Sequence, residues 1–153
     1  MTSTVTALAR STAGSLPPVV LVEDNPDDAL LIREAYARTR IANPFAVARD
    51  GVEALAMALA PANDERPGLM LLDLMLPRLS GVDVIARLRA SQRTRTMPIV
   101  VLSSSSERED IAASYAAGAN SYLVKPLEFT SLEKLLLHAT RYWLRHNERP
   151  PQN

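Results

Sequence analysis

The stretch Leu69 to Gly81, L-M-L-L-D-L-M-L-P-R-L-S-G, constrains this chain more than any other. Four consecutive apolar residues deliver a single carboxylate, Asp73, and Pro77 and Gly81 then punctuate the segment. A strand sends alternate side chains to opposite faces, so a run with no polar face belongs to a strand buried on both sides, as in a parallel sheet covered by helices. Asp73 marks where that strand leaves the core. Three further apolar runs end in chemistry of their own. P-V-V-L-V-E-D closes on Glu23 and Asp24, P-I-V-V-L-S closes on Ser103, and S-Y-L-V-K-P closes on Lys125. Ligands of open parallel sheets bind at the carboxyl ends of the strands, so the chain aims acids, a hydroxyl and an ammonium at one edge.

In chain order, residues 1–17 are rich in Ser, Thr and Ala and lack the long apolar block of a secretory signal, which predicts a disordered leader. The first strand is Val19 to Glu23. Asn25-Pro26-Asp27-Asp28 starts a helix with a cap, a proline at its first position and acids on the positive end of the dipole, continued by Leu30, Leu31, Glu34, Ala35 and Arg38. Phe45 to Ala48 forms a second strand, and Gly51 opens a helix on Val52, Leu55, Ala56 and Leu59. Residues 60–68 form a loop into the Asp73 strand. Ser80 caps a third helix with Val82, Ile85, Ala86 and Leu88 inward and Arg87 and Arg89 outward. After the Pro98 strand, Ser106 and Glu109 have capping-box spacing for a helix on Ile111, Tyr115 and Ala116 that Gly118 stops. Ser121 to Val124 is the fifth strand. A last helix runs from about Thr130 to Arg145 with Leu132, Leu135, Leu136, Ala139, Tyr142 and Trp143 on one side. Tyr142 and Trp143 either cover the core or line a dimer seam. Five strands alternating with five helices predict an α/β, doubly wound parallel sheet in one domain, residues 18–146, with a flexible tail at 147–153.

Composition bears on function mainly by exclusion. Lys plus Arg and Asp plus Glu balance at 17 each, so no overall field favours nucleic acid or an anionic membrane. The absence of cysteine excludes disulfides and thiolate metal sites. No apolar stretch approaches the roughly 20 residues that span a bilayer, and a cytoplasmic location is the default expectation. Electrostatics is therefore local. Glu23, Asp24 and Asp73 crowd three carboxylates, a repulsion that a cation relieves. Hard oxygen ligands with few protein donors favour Mg2+. With Lys125 as a point charge and Ser103 as a donor, the group suits a phosphoryl group carried on a carboxylate.

Glu23-Asp24, Asp73 followed by M-L-P-R-L-S-G, Ser103 closing P-I-V-V-L-S, and Lys125-Pro126 resemble the receiver domain of bacterial two-component response regulators, from about Val19 to Trp143. The resemblance implies a flavodoxin-like sheet of strand order 2-1-3-4-5. It implies that Asp73 is the phosphoacceptor for a sensor histidine kinase, with Ser103 and Lys125 supporting the transfer. It also implies that Mg2+ is held by Asp73, by Asp24 directly, by Glu23 through water and by the Met75 backbone carbonyl. Ser103 and Tyr122 would be the switch residues, and the Lys125–Pro126 peptide would be cis. Met75 and Ser105, beside the attack path, are expected to govern phosphoryl lifetime. A chain ending soon after its last helix predicts a stand-alone regulator read out by a partner or by a homodimer through the C-terminal helical face. N-P-D-D, the loop before Leu69 and the Y-W ending are similar to regulators associated with bacteriophytochromes, which implies a light-sensing kinase as partner. His138 and His146 are expected at the surface.

Three rival readings exist. A receiver-like binding module working without phosphorylation shares the fold but commonly lacks an acid or the lysine. A flavin protein needs a Ser/Thr/Gly-rich phosphate loop, where this chain has E-D-N-P-D-D. An aspartyl phosphohydrolase needs a second acid two residues past the nucleophile, where Met75 stands.

Overall fold

The computed structural model describes residues 16–60 and 66–151. The expected leader therefore lies, but for Leu16 and Pro17, outside the described residues. Strands β1 (Val19–Val22), β2 (Phe45–Ala48), β3 (Leu69–Leu72), β4 (Ile99–Ser103) and β5 (Ser121–Val124) form one parallel sheet in the order β2-β1-β3-β4-β5. This is the expected flavodoxin-like order. Every residue of β1, β3 and β4 is buried, as their continuous apolar runs require.

Alternation along the strands divides the core into two layers. Val20, Val22, Met70, Leu72, Ile99 and Val101 face helices α2 (Gly51–Leu59) and α3 (Gly81–Ala90). Val19, Leu21, Leu69, Leu71, Val100 and Leu102 face α1 (Pro26–Arg38) and α5 (Phe129–Arg141). Helix α4 (Arg108–Ala117) closes the far side of the first layer, and its single buried residue is a hydroxyl, Ser114.

The caps explain where helices begin. Asn25 Oδ1 accepts from the amides of Asp27 and Asp28, and Ser80 Oγ from that of Asp83, both as expected. Asp50, which the sequence reading passed over, caps α2 through the Glu53 amide, and Glu53 Oε2 returns to the Arg49 amide. Ser106 does not cap α4. The cap position is Glu107, without a side-chain hydrogen bond, because Ser105 supplies the hydroxyl that meets the Glu107 amide. Gly118 ends α4 at φ 115, the left-handed conformation that favours glycine.

Which apolar residues turn inward differs from the expected periodicity in four helices; in α3, Ala86 is exposed and Val84 is buried beside Ile85 and Leu88. In α1 the buried face is Ala29, Ile32, Ala35 and Tyr36, while Leu30 and Leu31 are exposed. In α2, Val52 is exposed and Ala54 and Ala58 are buried. In α4, Tyr115 is 49% exposed and Ala116 is also at the surface. In α2 and α4 the buried side chains are alanine or serine, which let the helix backbone come close to the sheet; in α1 two alanines share the buried face with Ile32 and Tyr36, and Leu30 and Leu31 fall outside it. Arg89, expected outward, turns back. Its guanidinium donates to the carbonyls of Thr94, Arg95, Met97 and Gly118 and to Asn120 Oδ1, clamping the end of α3 to the turns before β4 and β5. Helix α5 stops at Arg141, and Tyr142–His146 continue as a π-helical turn. Trp143 packs against the α1/α5 layer, whereas Tyr142 is 51% exposed. Beyond that turn, Arg149 donates to the Gly68 carbonyl at 2.8 Å.

Candidate functional site

The sheet register assembles the site. Val22 pairs with Leu72, so the next residues, Glu23 and Asp73, leave the sheet side by side. The Asp73 amide still donates to the Val22 carbonyl, and the Glu23 amide to Ala48, so ladder bonds hold both backbones. Ser103 pairs with Val124, and the Lys125 amide donates to the Ser103 carbonyl at 2.8 Å. The four strand ends converge as the sequence predicts.

Asp73 is 6% exposed and Glu23 2%. Lys125 Nζ lies 3.1 Å from Asp73 Oδ2 and 2.6 Å from Glu23 Oε2, and Asp28 Oδ2 stands 3.8 Å away. In the sequence Asp28 stands only as an acid on the dipole of α1; its second role depends on a fold-level approach between α1 and the end of β5 that no local pattern signals. Asp24 is exposed, and carboxylate oxygens of Glu23, Asp24 and Asp73 lie within 4.8 Å of one another. One ammonium cannot compensate this charge. Burial pushes the Glu23 carboxyl up to about 7, against the pull of Lys125 and with the push of Asp73. Burial alone lowers the proton affinity of Lys125, but its bonds to the two acids outweigh that effect and hold it above its ordinary value.

The loop after β3 is shaped around Asp73. The Met75 amide donates to Asp73 Oδ1 at 3.2 Å, while the Met75 side chain is 71% exposed. Arg78 adopts φ 66 and pairs loosely with Asp50 at 3.8 Å. Gly81 donates to the Leu74 carbonyl, and a Cβ there would stand 2.6 Å from the Asp73 carbonyl oxygen, so only glycine fits.

Ser103 is fully buried, and its Oγ accepts from the Ser105 amide at 3.3 Å. Tyr122 is half-buried, and its hydroxyl donates to the Ser105 carbonyl at 2.8 Å. The Ser105 hydroxyl is committed to Asp110 and to the Glu107 amide rather than to Asp73. The Lys125–Pro126 peptide is not cis, contrary to the expectation; the described residues contain no cis bond. Lys125 reaches both acids from the trans backbone, the form an X–Pro amide favours by about 0.5–1 kcal/mol. His138 and His146 are exposed, as expected.

The model of the response regulator receiver domain matches residues 19–137, the span of all five strands. This chain belongs to the response regulator receiver family. As a receiver it is 37% identical to a probable methanogenesis regulatory protein, FilR2 of Methanothrix harundinacea, over 86% of each chain. It is 34% identical to response regulator Rcp1 of Synechocystis, covering 85% of this chain and 92% of that one. A crystal structure of Rcp1 in its Mn(2+)-bound form superposes with a TM-score of 0.74, at 32% identity over 88% of this chain and all of the other. The phosphorylated cyanobacterial phytochrome response regulator RcpA superposes at 0.81, with 34% identity over 90% of this receiver and 100% of that chain. Among the described residues, no helix of the receiver is long and apolar enough to cross a membrane.

Proposed function

We propose that this receiver accepts a phosphoryl group from a sensor histidine kinase onto Asp73. The observation that carries the reading is the cluster at the carboxyl edge of the sheet in which the buried Asp73 sits 3.1 Å from the Lys125 ammonium with the carboxylates of Glu23 and Asp24 within 4.8 Å. An Asp73 oxygen attacks phosphorus as the P–N bond of a phosphohistidine breaks, and the electron pair returns to the imidazole, which takes a proton. Lys125 pairs with the incoming phosphoryl oxygens, and the buried Ser103 hydroxyl donates to them. The chain's contribution is position and charge, because the donor already carries its leaving group.

The donor set fits Mg2+. Three clustered carboxylates are hard oxygen ligands, share one ammonium and include a buried acid whose proton is held up to about 7. Asp73, Asp24, Glu23 through water and the Met75 carbonyl would hold the ion, which when bound neutralises charge on the phosphoryl oxygens. Met75, exposed beside Asp73, leaves no acid for turnover of external substrates and sets water access to the product; exchange for Asn or Lys changes the dephosphorylation rate.

The resemblance to proteins described as phytochrome response regulators supports a light-sensing kinase as donor. The exposed Tyr142, beside the half-buried Trp143, supports a homodimer through the C-terminal helical face. Intact-mass spectrometry after acetyl phosphate, with and without Mg2+, tests the chemistry. A Mg2+-dependent gain of one phosphoryl group, absent from Asp73→Asn, is expected. No gain on folded protein from any donor overturns the reading in favour of a binding module independent of phosphate.

A further inference from the structure

Ser105 makes hydrogen bonds through every polar group it has. Its amide donates to Ser103 Oγ at 3.3 Å, and its carbonyl accepts from the Tyr122 hydroxyl at 2.8 Å. Its hydroxyl accepts from the Glu107 amide at 3.2 Å and donates to Asp110 Oδ2. One residue thus touches the buried hydroxyl at the end of β4, the aromatic ring of β5 and the first turn of α4.

These contacts differ in strength. A hydroxyl donating to an ionised carboxylate is among the stronger bonds available, whereas an amide at 3.3 Å from a neutral hydroxyl lies beyond the usual range. Asp110 is itself fixed to its helix, since its carbonyl accepts from the buried Ser114 Oγ at 2.7 Å. The helix has no side-chain cap from Glu107, so the Ser105 hydroxyl ties the loop to the start of α4, weakly through the Glu107 amide and more strongly through the Asp110 carboxylate.

We infer that Asp110 is a positioning residue of the switch. It fastens Ser105 to the first turn of α4, so that the loop bearing the Tyr122 acceptor and the helix move as one body when the Ser103 hydroxyl turns toward a phosphoryl group. The inference rests on the reading that Asp73 is phosphorylated. Asp110 touches neither Asp73 nor Lys125 and acts only through Ser105. A purely structural role, as an acid favoured by the positive end of a helix, makes a different forecast, since it depends on charge and not on an acceptor for Ser105.

The test uses the full chain and the variants Asp110→Ala, Asp110→Asn and Ser105→Ala. Phosphoryl gain is read by intact mass, and the Tyr122 ring and α4 amides are read by NMR with and without beryllium fluoride, a phosphoryl mimic. Asp110→Ala is expected to take the phosphoryl group on Asp73 as the parent does. Its Tyr122 equilibrium should shift by roughly tenfold, the order of one charge-assisted hydrogen bond, and decouple from the α4 amides. Ser105→Ala should reproduce the effect from the other end of the bond, which keeps the test open if one variant folds poorly. Asp110→Asn, which retains an oxygen for the Ser105 hydroxyl, should restore coupling. A Tyr122 response in both alanine variants equal to that of the parent overturns the inference alone, as does an Asp110→Asn variant no better than Asp110→Ala. A parent chain that gains no phosphoryl group overturns the phosphoacceptor reading, and the inference falls with it.

Discussion

Lys125 and Glu23 meet at 2.6 Å across the carboxyl edge of the sheet, yet the Glu23 carboxyl is held up to about 7. Burial, which disfavours the charged carboxylate, is the larger cause, and the charge of Asp73, which shares the same ammonium, adds to it against the pull of Lys125.

A pH dependence follows. Unfolded, Glu23 titrates near 4.5; folded, it holds its proton to about 7. The folded state binds that proton more tightly, so the contribution is complete below about pH 4.5 and is lost as pH rises through 7. The metal-free protein should lose roughly 3 kcal/mol from this group across that window. Urea denaturation at a series of pH values in EDTA measures it. Glu23→Gln should flatten the slope, and saturating Mg2+ should flatten it in the parent; identical profiles for parent and variant would refute the assignment.

Asp24 separates metal binding from stability. It is exposed and makes no ion pair among the described residues. Asp24→Asn should leave folding within about 0.5 kcal/mol and weaken Mg2+ binding by at least about tenfold. Isothermal titration with Mg2+ alone, beside urea denaturation, reads both. Unchanged Mg2+ affinity would remove Asp24 from the ligand set.

Gly81 guards the geometry of Asp73 without touching its carboxylate. An added Cβ meets the Asp73 carbonyl oxygen at 2.6 Å and Leu74 Cα at 2.7 Å, both backbone atoms that cannot swing aside. Gly81→Ala should cost about 1–3 kcal/mol and slow phosphoryl uptake by up to about 100-fold through displacement of the loop. Initial rates from acetyl phosphate, at a temperature where the variant is folded, check the second effect.

Arg89 should be a stability residue only. Removing its guanidinium takes a donor from four carbonyls and Asn120 Oδ1 at once, and among the described residues only Thr94 and Asn120 keep a second donor, the amides of Met97 and Ile99. Arg89→Ala is expected to lose about 3 kcal/mol or more, and Arg89→Lys to recover little, because a point charge cannot reproduce the fork. Phosphoryl gain at Asp73 should persist in both wherever they remain folded.

The site was legible where chemistry sits at the end of an apolar run. Glu23, Asp24, Asp73, Ser103 and Lys125 each close such a run, and parallel pairing alone carries them to one edge. Residues whose partners lie elsewhere in the fold were not legible. Asp28 looks like any first-turn acid until Lys125 arrives beside it, and Asp110 likewise until Ser105 does. Arg89 at the end of an amphipathic helix reads as solvated, and only the turns before β4 and β5 turn it inward. The inward faces of α1, α2 and α4 failed for one reason. Each offers more apolar residues than one face can hold; in α2 and α4 closeness of packing selects alanine or serine over valine or tyrosine, while in α1 Ile32 and Tyr36 fill the face with two alanines and leave Leu30 and Leu31 outside.

Helix α4 rests on the sheet side with a buried serine, while α3 buries Val84, Ile85 and Leu88. Burial is worth about 25 cal/mol per Å2 of apolar surface, so sliding α4 exposes little hydrocarbon and hardly alters the free energy of folding. Messaging and solvency are thereby separated in this molecule. The sheet and its other helices hold the fold together, and the one helix with almost no hydrophobic stake in it would, on the proposed phosphoacceptor reading, be free to carry news of the phosphoryl group to the surface.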